Sequence, residues 1–198
     1  MSHLSIIERA ASYLTLKSNR PSASEVVEAL LTAEQIARKE KIQYSLEQLL
    51  GTWRLCFITG TKRVRQKTSS FLGSGRYIPE FIKIELTYTH SSDSTIEQRA
   101  IVKNCVNIGS LKLTLTGPIK LLAPKNILLF DFTFLEVKFL GIKLYDGYIR
   151  GGKEKASKFS TQKIAQQAFF AYFLVTENAI AARGKGGGLA LWSRIDAE

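Results

Sequence analysis

Histidine is almost missing from this chain: His3 and His90 are the only two among 198 residues. One sits at the N-terminus and the other in the turn-like run Thr89-His90-Ser91-Ser92-Asp93, which leaves no His-centred triad or metal cluster to assemble. Cysteine is as sparse. Cys56 and Cys105 fall in separate predicted strands, so a reduced compartment is the default, and without a nearby histidine base neither reads as a nucleophile. No apolar run approaches the roughly eighteen residues of a spanning helix. The N-terminal Met1-Ser2-His3-Leu4-Ser5-Ile6-Ile7-Glu8 has neither a basic-then-apolar leader nor the Ser/Arg-rich, acid-poor stretch of a transit peptide. A cytoplasmic setting, such as a bacterial cytosol, is the expectation.

Acidic residues are also in short supply. Against 28 Lys and Arg stand 17 Asp and Glu, a net charge of +11. That surplus favours polyanionic partners: nucleic acid, anionic lipid or an acidic protein surface. A solvated basic face with no partner fits the same numbers. The hydrophobic fraction of 45% suffices for one core, so a single folding domain is expected, with a helical segment over 1–50 and a β-rich unit over 51–198.

Leu4, Ile7, Ala11 and Leu14 recur at helical spacing. After the break Ser18-Asn19-Arg20-Pro21, Ser22 with Glu25 forms a capping-box pattern ahead of the stripe Val26, Leu30, Ala33 and Ala37. A second box, Ser45 with Gln48, opens a short helix that Gly51 is suited to end. From Thr52 the period changes to two: Trp53, Leu55 and Phe57 share one face of a strand. Ile82, Ile84, Leu86 and Tyr88 repeat the alternation. So do Leu111, Leu113 and Leu115, up to a stop at Gly117-Pro118. Leu128, Phe130, Phe132 and Phe134 give an aromatic inner face, and the phase flips at Leu135 before Val137 and Phe139, as a bulge or tight connection requires. Phe169–Val175 and Leu189–Ile195 complete the set. Short strands with no helices interleaved among them predict a mainly β (α+β) fold: an antiparallel barrel behind an N-terminal helical cap.

Gly51-Thr52-Trp53 at the start of the first strand and Arg194 on the last resemble the calycin pattern of lipocalin-like β-barrels. The run from about Phe173 through Ile180-Ala181-Ala182-Arg183-Gly184-Lys185-Gly186-Gly187-Gly188-Leu189 resembles the plastid lipid-associated protein (fibrillin) family, in its cyanobacterial form. The resemblance covers nearly the whole chain. It implies a protein of thylakoids or lipid droplets that binds a carotenoid or prenyl lipid. It also implies that Trp53 and Arg194 stack to seal one barrel end, with Gly51, Gly184 and Gly187 as structural companions.

The residues themselves supply candidates. Phe57, Phe130, Phe132, Phe134 and Tyr172 form an aromatic set fit to wrap an isoprenoid tail such as a carotenoid or prenylquinone, and equally fit to fill a core without a ligand. Arg183 either caps carbonyls of its glycine turn or holds an acidic ligand head group. Gly184, Gly186, Gly187 and Gly188 do not complete a dinucleotide fingerprint, because they lead into a strand. Lys62, Arg63, Arg65 and Lys67, with Arg76 close behind, form a basic loop able to dock on an anionic thylakoid lipid surface. Nucleic acid is disfavoured, because no aromatics interleave on the solvent faces of successive strands. Together with the resemblance, which implies the thylakoid setting, the expectation is a non-enzymatic lipid- or pigment-associated protein that requires no cofactor and is peripheral to the thylakoid. The alternative is a filled barrel whose basic face binds an acidic photosynthetic subunit or a prenyl-lipid biosynthetic enzyme. A chromophore lyase ranks last, for want of catalytic residues.

Overall fold

A computed structural model describes residues 2–14, 20–60, 75–91, 100–149, 151–152, 154, 159 and 164–195. Three helices precede the sheet: α1 (His3–Ala11), α2 (Ala23–Glu40) and α3 (Leu46–Leu49). Both capping boxes form. The Ser22 side chain accepts from the Glu25 amide while the Glu25 carboxylate accepts from the Ser22 amide, and Ser45 and Gln48 do the same for α3. Ser22 also holds the Glu25 carboxyl below its ordinary range by hydrogen bonding. Lys41, in the left-handed region at φ 53°, ends α2.

Eleven strands follow: β1 (Gly51–Ile58), β2 (Arg76–Tyr77), β3 (Ile82–His90), β4 (Ala100–Ile108), β5 (Leu111–Leu122), β6 (Ile127–Phe130), β7 (Phe134–Phe139), β8 (Ile142–Tyr148), β9 (Ala168–Val175), β10 (Ala179–Gly184) and β11 (Leu189–Ile195). The antiparallel ladders run β1-β3-β4-β5-β6-β9-β10-β11 and return to β1, closing an eight-stranded lipocalin-like barrel. Closure leaves the eight-stranded ring itself without free edges. The β7–β8 hairpin stands outside the ring, paired to the first half of β5.

The helical cap has two destinations. The apolar stripes of α1 and α2 lie on the outer barrel wall, where Ile7, Ala10, Val26 and Leu30 pack with Phe57, Phe173, Ala181 and Leu191. Full burial of a Leu or Ile contributes roughly 1.5–3 kcal/mol, so this layer stabilises helices and barrel together. Leu49 of α3 and the preceding Tyr44 instead join the cluster inside the barrel. Asn126, itself at φ 50°, ties the two parts together: its side chain accepts from the Tyr44 amide at 2.9 Å and donates to the Ile42 carbonyl at 2.6 Å.

The phase change that turns Leu135, Val137 and Phe139 inward is present, and three details differ from the sequence reading. The register of β1 against β11 shifts between Leu55 and Phe57, so Trp53 and Leu55 face the interior while Phe57 turns outward to the helices. Gly117-Pro118 does not stop its strand. β5 runs through both residues to Leu122, pairing with β7 over Leu111–Thr116 and with β6 over Ile119–Leu122. Pro118 is tolerated because the N–H it lacks would point at the place where its neighbour changes from β7 to β6; there the Pro118 carbonyl accepts from the Asp131 amide at 3.3 Å. The link Asp131–Thr133 crosses so close to Gly117 that a Cβ there would lie 1.7 Å from the Asp131 oxygen. The aromatic run flips inside this link. Phe132 still packs on the interior cluster, but Phe134 pairs with Thr116 on the outer face and stands edge-on to Tyr148 at 5.5 Å.

Candidate functional site

One half of the barrel is closed. Trp53 is fully buried, its indole Nε1 donates to the Leu49 carbonyl at 2.8 Å, and the Arg194 guanidinium lies 4.1 Å from the ring centroid. Arg194 also donates to the carbonyls of Glu177 at 2.6 Å and Leu50 at 3.1 Å, which ties both chain ends of the β-unit to α3. Gly51, at φ +116°, makes this possible: a Cβ there would meet the Arg194 guanidinium at 2.6 Å.

Beside that seal, two tyrosines span the barrel. β3 and β9 are four strands apart in both directions around the ring, so Tyr88 and Tyr172 project from opposite walls, and their hydroxyls meet at 2.7 Å. Burial pushes both phenols above the usual tyrosine range, so the pair is neutral at any physiological pH. Phe170 packs against this pair. It is stacked on Phe130 at 4.9 Å and edge-on to Trp192 at 5.3 Å. Removing one hydroxyl leaves its partner buried and unbonded, whereas removing both removes the polar burden. Tyr88→Phe or Tyr172→Phe is therefore expected to cost about 1–3 kcal/mol, and the double variant close to nothing. Urea denaturation of the three variants checks this; additive losses would sink it.

The other half is open and apolar. Inward-facing residues continue in register from the ring onto the hairpin: Leu86, Asn104, Leu115 and Leu135 form one cross-strand row, and Ile84, Val106, Leu113, Val137 and Tyr145 the next. Most of these side chains are only half-buried. The last row ends in Ile108, Phe139 and Ile142, all exposed. Asn104 is the polar exception on this face, and its buried carboxamide oxygen has no hydrogen-bond partner. An unmet buried acceptor costs about 1–3 kcal/mol, so this oxygen is a site where a donor that reached it would be stabilising.

Of the residues singled out from sequence, Phe130, Phe132 and Tyr172 line or pack on the interior. Phe57 and Phe134 do not, for the phase reasons above. Arg183 lies outside the barrel under α2. Its Nε donates to Glu34 at 2.7 Å, a second nitrogen bonds the same carboxylate, and Nη1 donates to the Gly187 carbonyl at 2.6 Å. These contacts cap a carbonyl of the glycine turn and lock the turn to the helix. Gly187, at φ 83°, and Gly184 make that turn, with the Gly187 amide donating to the Gly184 carbonyl at 2.8 Å. Lys62, Arg63, Arg65 and Lys67 lie outside the described residues, and Arg76 is exposed on β2. Sequence reasoning missed Asn104, Phe170 and the whole of β8. Only the hairpin left a local signal, the apolar pair Phe139-Leu140 and Ile142 around Gly141.

Burial pushes the Cys56 thiol up, and its hydrogen contacts the Ser193 hydroxyl and backbone carbonyls, as suits a packed thiol. Among the described residues no group of three His, Cys, Asp or Glu side chains is placed to hold a metal, and no helix is long and apolar enough to cross a membrane. Neither a protein-family model nor a curated protein sequence matches this chain.

Proposed function

We propose that this protein carries an apolar small molecule in the open half of its barrel. The single supporting observation is the inner face, apolar except at Asn104, that continues in register from the ring onto the β7–β8 hairpin and stays half-exposed along the way. An inner face of this kind, apolar with one polar group, suits a lipid better than a soluble metabolite. The Asn104 carboxamide gives such a ligand one polar anchor. The resemblance of the chain ends to fibrillins narrows the class to a carotenoid or prenyl lipid. On that reading the protein is peripheral to a photosynthetic membrane and is a carrier, not an enzyme.

Organic extraction of protein purified from a pigment-containing host, followed by absorbance and mass spectrometry, tests the proposal. A stoichiometric carotenoid or prenylquinone is the expected result, and Val137→Trp, which fills the mouth, should lower its content. An extract that is empty, and stays empty after incubation with thylakoid lipids, would overturn it. The second reading is then a filled barrel that docks an acidic protein. The aromatic packing of Phe130, Phe170 and Trp192 in the closed half favours that version.

A further inference from the structure

The far end of the β3–β4–β5–β7–β8 sheet carries two opposite surfaces within a few residues of each other. On the inner side and at the hairpin tip, Ile108, Phe139, Leu140, Ile142 and Leu144 are exposed, with Leu140 and Ile142 both at 67% and Leu144 at 64%. Exposed apolar side chains scattered singly need no explanation, but a contiguous group on one projecting hairpin does. Leu140 and Gly141 form the turn itself, both at positive φ, so Leu140 is held at the tip of a hairpin that stands outside the ring. Leucine is a poor choice for a left-handed turn position that Asn or Gly would occupy without strain. Its presence there calls for an apolar surface to meet it.

On the outer side of the same sheet end, one cross-strand row reads Lys83, Asn107, Lys112, Lys138 and Lys143, from β3 to β8. Lys112, Lys138 and Lys143 are directly opposite one another. Like charges so placed destabilise a sheet. Glu136 relieves Lys138 at 2.9 Å, and Asp146 contacts Lys143. Neither Lys83 nor Lys112 has a carboxylate within ion-pair distance among the described residues. An anionic surface would remove the repulsion, whereas a second copy of this chain, with the same lysines and a net charge of +11, would add to it.

We infer that this hairpin end docks on an anionic lipid bilayer, with Phe139, Leu140, Ile142 and Leu144 entering the headgroup region and the lysine row lying against lipid phosphates. Apolar insertion combined with juxtaposed lysines is the balance that gives reversible membrane binding. The inference deepens the carrier reading, because it places the open mouth of the barrel against the bilayer from which a lipid would enter. The docking itself needs no ligand.

Sedimentation of the full chain with vesicles of phosphatidylcholine alone, and with added phosphatidylglycerol, tests it. Binding is expected only to the anionic vesicles and should weaken with salt. Leu140→Asp with Leu144→Asp alters only exposed positions, leaves the thermal melt unchanged, and should lower partition by at least about tenfold. Lys83→Glu with Lys112→Glu should act similarly, since each basic side chain near the surface contributes about fivefold or more. In a Leu140→Trp variant, emission should shift to the blue on adding anionic vesicles. Vesicle binding unchanged in the tip variants would overturn the inference and shift attention to the basic segment 62–67. So would a dimer in light scattering that the tip variants abolish without any vesicle binding; that result would make the hairpin a self-association edge. Docking with an empty barrel would leave this inference standing and defeat the carrier reading. A loaded barrel without docking would do the reverse.

Discussion

Trp53→Ala is expected to cost about 3–5 kcal/mol of folding stability, the upper range for an aromatic lost from a core. The indole is fully buried, its N–H bonds the Leu49 carbonyl, and Arg194 covers its face. Truncation therefore opens a cavity, strips a hydrogen bond from α3, and leaves the Arg194 guanidinium over a void. Against a typical total of about 5–15 kcal/mol, such a loss removes roughly a fifth or more of what holds the domain together. Guanidinium denaturation gives the number directly. Trp53→Phe keeps most of the buried area but neither the N–H nor the full indole face, so its loss should fall between wild type and alanine. If Trp53→Ala costs under about 1 kcal/mol, the seal at this end is not what closes the barrel.

Gly117→Ala is the second large effect. In most strands this change is mildly favourable, because alanine has less backbone freedom to lose. Here the added carbon would lie 1.7 Å from the Asp131 oxygen, and backbone on both sides must move to relieve it. A cost of about 3 kcal/mol or more is expected, at or beyond the usual range for overpacking. The damage should be local as well as global. Amide exchange should accelerate at Asp131 and Thr133, whose N–H groups bond the Pro118 and Thr116 carbonyls across this crossing. The crossing also directs the chain from the ring into the β7–β8 hairpin, so the same variant should weaken vesicle docking. Equal stability, or unchanged exchange at those two amides, would mean that the link is not tightly crossed over Gly117.

Local patterns accounted for the elements that depend on local physics. Ser22 with Glu25 and Ser45 with Gln48 are satisfied within a single turn, so their spacing alone specified two helix starts. The stripe Val26, Leu30, Ala33 and Ala37 is buried as its period required. Alternation in β3 and in the first half of β5 placed Leu86, Tyr88 and Leu115 on the interior face. The failures cluster where a strand changes neighbour. Phe57 follows a bulge set by the pairing of β1 with β11, and Phe134 follows a link shaped by its contact with Gly117. Pro118 looked like a terminator only because the side its missing N–H faces could not be known before the partner strand was placed.

The site divides in the same way. The aromatic character of Phe130, Phe132 and Tyr172 was legible, and so were the charge of +11 and the pairing expected of Trp53 with Arg194. Composition, capping and two-residue periodicity are carried by neighbouring residues, and they are enough to specify the mainly β class, the helical segment in front of it and the inward faces of its regular strands. Contacts between residues far apart in the chain decided the rest. Tyr88 meets Tyr172 across 84 intervening steps, Arg183 finds Glu34 across 149, and four lysines from four strands fall into one row. No local signal encodes such meetings, because the register that produces them is settled only when the ring closes. Tertiary structure alone therefore decided which half of the barrel is sealed, which is open, and that the open end carries its own apolar tip and basic row.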